Sequence, residues 1–191
     1  TDIIVKDDEI LLTGFTSFSC DSLSFLNLIK NQKPQKSLVY NVCPFNTDIL
    51  IRLAFSDYSS VYSALNNQDA SLSSFPGLNY DLSEFIQLIG QEVAFSNNAA
   101  NIKQFKSASV AFVHLKDRHR AETILADLSK FSGGSKSNKI NGYNVRQIKY
   151  KSLLSNMFGS VFSPITENFY LFIGDFVVFA NSKEKLLSVL Q

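Results

Sequence analysis

His114 and His119 are the only histidines in the chain, and both fall inside the run His114-Leu-Lys-Asp-Arg-His-Arg120. An imidazole is the side chain best suited to proton transfer near neutral pH and to zinc ligation, so these two come first. His119 and Glu122 stand three residues apart, which places both on one face of a helix. A metal centre would require a third ligand at a characteristic spacing, and none follows. The pair therefore reads as a strand-end histidine and a solvated first-turn histidine. Arg118 and Arg120 could grip a phosphate or carboxylate. An arginine at a helix start opposes the dipole, however, so exposed charge is the expected role. Glu92 alternates with apolar residues on a strand. An inward-facing carboxylate there would be chemically interesting, but a solvent-facing one is the expectation. Asp7-Asp8-Glu9 reads as a hairpin turn.

Nucleophilic catalysis needs Ser or Cys beside a base, with donors for the oxyanion. With 26 serines, a serine near a histidine carries no information, and no Gly-x-Ser-x-Gly elbow occurs. Cys20 and Cys43 lie far from either histidine in sequence; they read as two ordinary buried thiols, with a disulfide as the alternative. Gly133-Gly134 lacks the spacing of a phosphate-binding loop. Tyr143 and Tyr150 beside Arg146, Lys149 and Lys151 could stack bases or sugars, yet ordinary cross-strand pairing accounts for them. No catalytic, cofactor-binding or metal-ligating residue is assigned, and no cofactor is implied.

The elements that would position these groups repeat a local pattern. A strand-length apolar run ends in Ser, Asp or Asn, and an amphipathic helix follows. The copies begin at Glu9–Phe15, Asp48–Phe55, Ser109–Leu115 and Asp175–Ala180. Val, Ile and Phe suit a half-buried pleated surface, the short polar residue caps an orphan N–H, and apolar residues at helical spacing turn one stripe onto the sheet. A further strand candidate precedes each copy: Ile3–Val5, Leu38–Tyr40, Glu92–Phe95 and Phe169–Ile173. Strand–strand–helix, repeated with insertions, implies an α+β fold: a mainly antiparallel sheet, with strand–helix–strand steps allowing a parallel pair, and helices laid on one face.

Between the units, Asn66–Asn79 reads as a surface loop, Asp81–Ile89 as a helix ended by Gly90, Lys139–Tyr150 as a hairpin turning at Asn141-Gly142, and Ser152–Phe158 as a short helix. Residues 1–75 and 76–191 are expected as two α+β modules, or as halves of one continuous domain. Charged residues are 18% of the chain and the net charge is +1, which argues against a nucleic-acid partner. Hydrophobic residues at 45% exclude a disordered tail. No apolar run reaches the roughly 20 residues of a membrane span, and no signal-peptide pattern is visible. The chain opens at Thr1 and closes at Gln191 inside an amphipathic pattern, which leads us to expect a segment of a longer protein.

Asp7–Thr16, Cys43-Pro-Phe-Asn-Thr47 leading into Phe55-Ser-Asp57, Gly90–Ala94 and Gly174–Ser182 resemble blocks of domain of unknown function 3352, a family of long exported bacterial proteins, many from Bacteroidetes. The resemblance implies a periplasmic or surface location and a place within a larger chain. It transfers no catalytic or ligand-binding residue. The expected function is a non-catalytic interaction or scaffold module of a cell-envelope protein. Its partners would be the rest of its own chain and other envelope proteins, and any membrane contact would run through an anchor outside this segment. Exposed sheet edges or the 66–79 loop would form the contact surface. The alternative is an enzyme or small-ligand receptor whose site gathers the dispersed residues His114, His119, Glu92 and Glu122.

Overall fold

The computed structural model describes residues 2–5, 10–13, 32–68, 81–134 and 137–190. Residues 1–31 and 32–191 form two compact units. In the first, β1 (Asp2–Val5) and β2 (Ile10–Thr13) pair antiparallel, with Ile3 opposite Leu12 and Val5 opposite Ile10. The expected Asp7-Asp8-Glu9 turn, Cys20 and the helix expected to follow it lie outside the described residues, as does most of the 66–79 loop.

The second unit runs β3 (Ile49–Ala54), α1 (Tyr58–Gln68), α2 (Ser83–Leu88), β4 (Ile89–Asn97), α3 (Phe105–Ala108), β5 (Val110–Leu115), α4 (Arg118–Phe131), β6 (Asn138–Ile140), β7 (Tyr143–Gln147), α5 (Leu153–Phe158), β8 (Phe169–Ile173), β9 (Phe176–Ala180) and α6 (Lys183–Ser188). Its strands form one seven-stranded sheet in the order β3-β4-β5-β9-β8-β7-β6. Every described pairing is antiparallel, so the parallel step allowed by the sequence is not used. The fold is α+β. The sheet also crosses residue 75 without interruption, because β3 pairs with β4 along its whole length.

Local chemistry explains most of these boundaries. Asp117 Oδ1 accepts from the Arg120 backbone N–H at 3.0 Å and starts α4. Ser182 Oγ accepts from the Lys185 N–H at 3.1 Å and starts α6. Both are short polar side chains satisfying donors that the first helical turn leaves open. The β6–β7 hairpin turns at Asn141 and Gly142, whose φ angles of 49° and 85° are the left-handed pair a two-residue hairpin favours.

Core residues divide between the two faces of the sheet, since alternate side chains on a strand point opposite ways. The first face gathers Val93, Phe95, Val113, Tyr170 and Phe179 beneath Tyr58 of α1, Phe85 of α2, Leu125 of α4 and Leu153 of α5. The second gathers Ala94, Phe112, Leu171 and Val178 beneath Leu186 of α6, Val189 and Val39.

That second core corrects the expectation of helices on one face only. Val110 to Val113 and Phe176 to Ala180 are buried at every position, so the central strands are apolar on both sides and both sides need cover. Three further expectations change. Leu38–Tyr40 is not a strand: Val39–Asn41 form a 3-10 turn in which the Leu38 and Val39 carbonyls accept locally, while Val39 plugs the second core. Gly90 does not end a helix, because α2 passes directly into β4 at Ile89, which is already extended. Glu92, finally, does not face solvent.

Candidate functional site

β4 carries the most unusual polar arrangement in the unit. Its register against β5 runs Ile89 opposite Leu115, then Val93 opposite Val113, so Gly90 to Glu92 bulge outward against the single residue His114. A bulge of this kind withdraws backbone groups from the ladder and re-aims side chains. Here the withdrawn Gln91 N–H is recovered by a side chain: it donates to His114 Nδ1 at 3.2 Å. The imidazole therefore holds its own proton on Nε2. A β-carbon on residue 90 would stand 2.0 Å from His114 Nδ1, which is why that position is glycine. The ring also packs edge-on against Phe176, with centroids 5.1 Å apart. Burial lowers the His114 pKa below the usual imidazole value, against the opposing pull of Glu92 and Asp175.

Glu92, at the rim of the same bulge, is fully buried. An uncompensated carboxylate there would be very costly, and three groups compensate it. Arg52 of β3 donates through Nε to Oε2, forming an ion pair. The Leu38 backbone N–H donates to Oε1 at 2.7 Å, and Ser37 Oγ lies 3.5 Å from Oε2. Arg52 also donates to the Gln35 carbonyl at 3.0 Å, and Gln91 Nε2 donates to the Lys36 carbonyl at 2.7 Å. Together these bonds fasten the extended segment 35–38 to β3 and β4. The acid, the base and the bulge thus form a brace in which both Glu92 oxygens and His114 Nδ1 are bonded to the protein itself.

The other sequence candidates lie elsewhere. His119 is exposed on the first turn of α4. Glu122, one turn further along, acts electrostatically on the buried Tyr170, whose phenol is raised chiefly by burial. No hydrogen bond or ion pair links His114, His119, Glu92 and Glu122 to one another among the described residues. Glu92 is near enough to His114 to act on it electrostatically, and His119 and Glu122 share the first turns of α4. Arg120 makes a two-pronged pair with Glu84 of α2, its second contact at 2.9 Å, and so joins α4 to α2 rather than holding an anion. Arg118 donates to the Gly174 carbonyl at 2.9 Å and lies over the Phe172 ring. Cys43 is a free thiol with Sγ 3.3 Å from Thr47 Oγ1. Tyr143, Lys149 and Lys151 are exposed around the β6–β7 hairpin, with Ile140 opposite Tyr143 as an ordinary cross-strand pair.

Arg52 and Ser37 are the participants that sequence reasoning missed. A lone arginine inside an apolar strand, Ile49-Leu-Ile-Arg-Leu-Ala54, was the signal that could have found the first, since a charge in such a run is a candidate for pairing with a carboxylate. Among the described residues, no group of three or more His, Cys, Asp or Glu is placed to hold a metal ion, and no helix is long and apolar enough to cross a membrane. Comparison with protein-family models, with curated proteins and with solved structures finds no match for this chain.

Proposed function

We propose that this chain is a non-catalytic interaction module of an exported bacterial cell-envelope protein. One observation carries the non-catalytic part. Glu92 and His114, two candidates that the sheet brings near each other, have their acceptor atoms occupied by Arg52, Ser37, the Leu38 N–H and the Gln91 N–H. A general base must keep an acceptor free to take a proton from substrate. Support for the envelope location comes from the resemblance of the Asp7–Thr16, Cys43–Thr47, Phe55–Asp57, Gly90–Ala94 and Gly174–Ser182 blocks to exported proteins of domain of unknown function 3352. Support for an interaction role comes from the exposed apolar side chains Ile49 and Ile51 on the terminal strand of the sheet.

The test is a pair of measurements on the whole chain. Immobilised protein should retain a saturable partner from a bacterial envelope fraction, and His114→Asn should retain it equally well. Turnover of a hydrolysable substrate that disappears in His114→Asn or His119→Ala would overturn the reading.

A further inference from the structure

Strand ends divide the charges of the 32–191 unit unevenly. β3 and β5 begin, and β4 and β9 finish, at one end of the sheet, where the Asp48 N–H bonds to the Asn97 carbonyl at 3.1 Å and Val110 pairs with Ala180. Loops at this end carry Lys103, Lys106, Lys149, Lys151, Lys183 and Lys185. The acids there are Asp48, Glu167 and Glu184, and Glu184 is drawn back to Ser182 at the start of α6. At the opposite end Asp57, Asp81, Glu84, Asp117 and Asp175 offset Lys33, Lys116, Arg118 and Arg120. One end is basic.

The basic end also holds the two most exposed large apolar side chains among the described residues, Phe45 at 111% and Ile102 at 89%. Phe45 stands three residues before Asp48, and Ile102 opens the 3-10 turn Ile102–Gln104 beyond β4. Both turns are braced from within. Asn101 Oδ1 accepts from the Lys103 N–H at 3.1 Å, Asn97 Nδ2 donates to the Phe105 carbonyl at 2.7 Å, and Asn181 Nδ2 donates to the Lys106 carbonyl at 2.7 Å. Ahead of Phe45, the Cys43 N–H bonds to the Val39 carbonyl at 2.8 Å while the Val39 side chain is fixed in the second core. Apolar tips held in water by a braced backbone mark a contact surface.

We propose that this end of the sheet docks on an anionic phospholipid bilayer, with Phe45 and Ile102 entering the headgroup region and the lysines meeting lipid phosphates. The charge around Ile102 is of one sign: Lys103 and Lys106 follow it, and no acid occurs between Glu92 and Asp117. Lys185 Nζ, 2.6 Å from Asn98 Oδ1, keeps a further cation beside this loop. A protein partner needs a continuous complementary surface of roughly 800 Å² on each side. Separate apolar tips among lysines suit a lipid interface instead, because lipid yields around each side chain and supplies the anions. The docking end adds a membrane contact within the chain to the outside anchor expected from the sequence. It stands whether or not the module also binds an envelope protein.

Co-sedimentation of the whole chain with vesicles of phosphatidylcholine and an equal part of phosphatidylglycerol should show saturable binding that weakens with added salt. Vesicles of phosphatidylcholine alone should bind far less. Phe45→Ser and Ile102→Ser should each lower the partition coefficient about tenfold or more. The double variant Lys103→Glu, Lys106→Glu should do the same on the anionic vesicles. All four positions are exposed, and unchanged far-ultraviolet circular dichroism checks that each variant folds as the parent does. Absence of binding to the anionic vesicles overturns the inference. So does equal binding to neutral vesicles, or binding that survives all three variants. A chain that ignores vesicles but captures an envelope protein through Phe45 overturns it too, while leaving the module reading intact.

Discussion

Gly90 and His114 share one small volume, and the side chain missing from the first makes room for the second. The bond from the Gln91 N–H requires a lone pair on His114 Nδ1, so protonating that nitrogen breaks it. Burial lowers the His114 pKa, which fixes the sign of a pH effect. Folded His114 holds its proton less tightly than the unfolded chain does. The unfolded state therefore binds more protons once the pH falls below about 6.5, and stability is lost from there downward. His114→Asn offers Oδ1 as a non-titrating acceptor in place of Nδ1. Urea unfolding between about pH 7.5 and 5.5 should show stability falling in the parent and a shallower fall in the variant. Equal slopes would remove His114 as the titrating group. Much at this level was legible in the sequence: Asp117 and Ser182 cap helices, and Asn141-Gly142 turns a hairpin, because each acts on backbone within a few positions. The burial of Glu92 was not legible, since its compensating groups stand 40, 54 and 55 positions away.

Strands announced themselves through apolar runs that had only to be read locally. β3, β5, β8 and β9 fall within a residue or two of their expected limits. Which face each side chain would occupy was harder, because a run buried on both sides has no alternation to read. Hence apolar spacing alone puts all the helices on one face, whereas Leu186 of α6 covers the other, and the three apolar residues Leu38–Tyr40 read as a strand where the chain makes a 3-10 turn. Phe179 of β9 belongs to the first face, its ring 5.7 Å from that of Tyr170 and almost wholly buried. Phe179→Ala removes that contact and leaves a cavity, so thermal or urea unfolding should show a loss of about 3–5 kcal/mol. A loss near zero would place this face of β9 outside the core.

Across the 32–191 unit, the Glu92–Arg52 pair ties together pieces that no continuous element connects: the terminal strand β3, its neighbour β4 and the extended segment 35–38. The account turns on whether that carboxylate serves the fold or serves a substrate, and the sign of one free-energy change distinguishes the two. Residues kept for catalysis or ligand binding are commonly held at a cost in stability, so neutralising one leaves a protein as stable as before or more so. A structural carboxylate behaves oppositely, because its removal strands the charge of its partner. The decisive measurement is the urea unfolding free energy of Glu92→Gln against the parent chain at neutral pH. The account predicts a loss of about 3 kcal/mol. No change, or a gain in stability, would contradict it and return Glu92 to the list of functional residues.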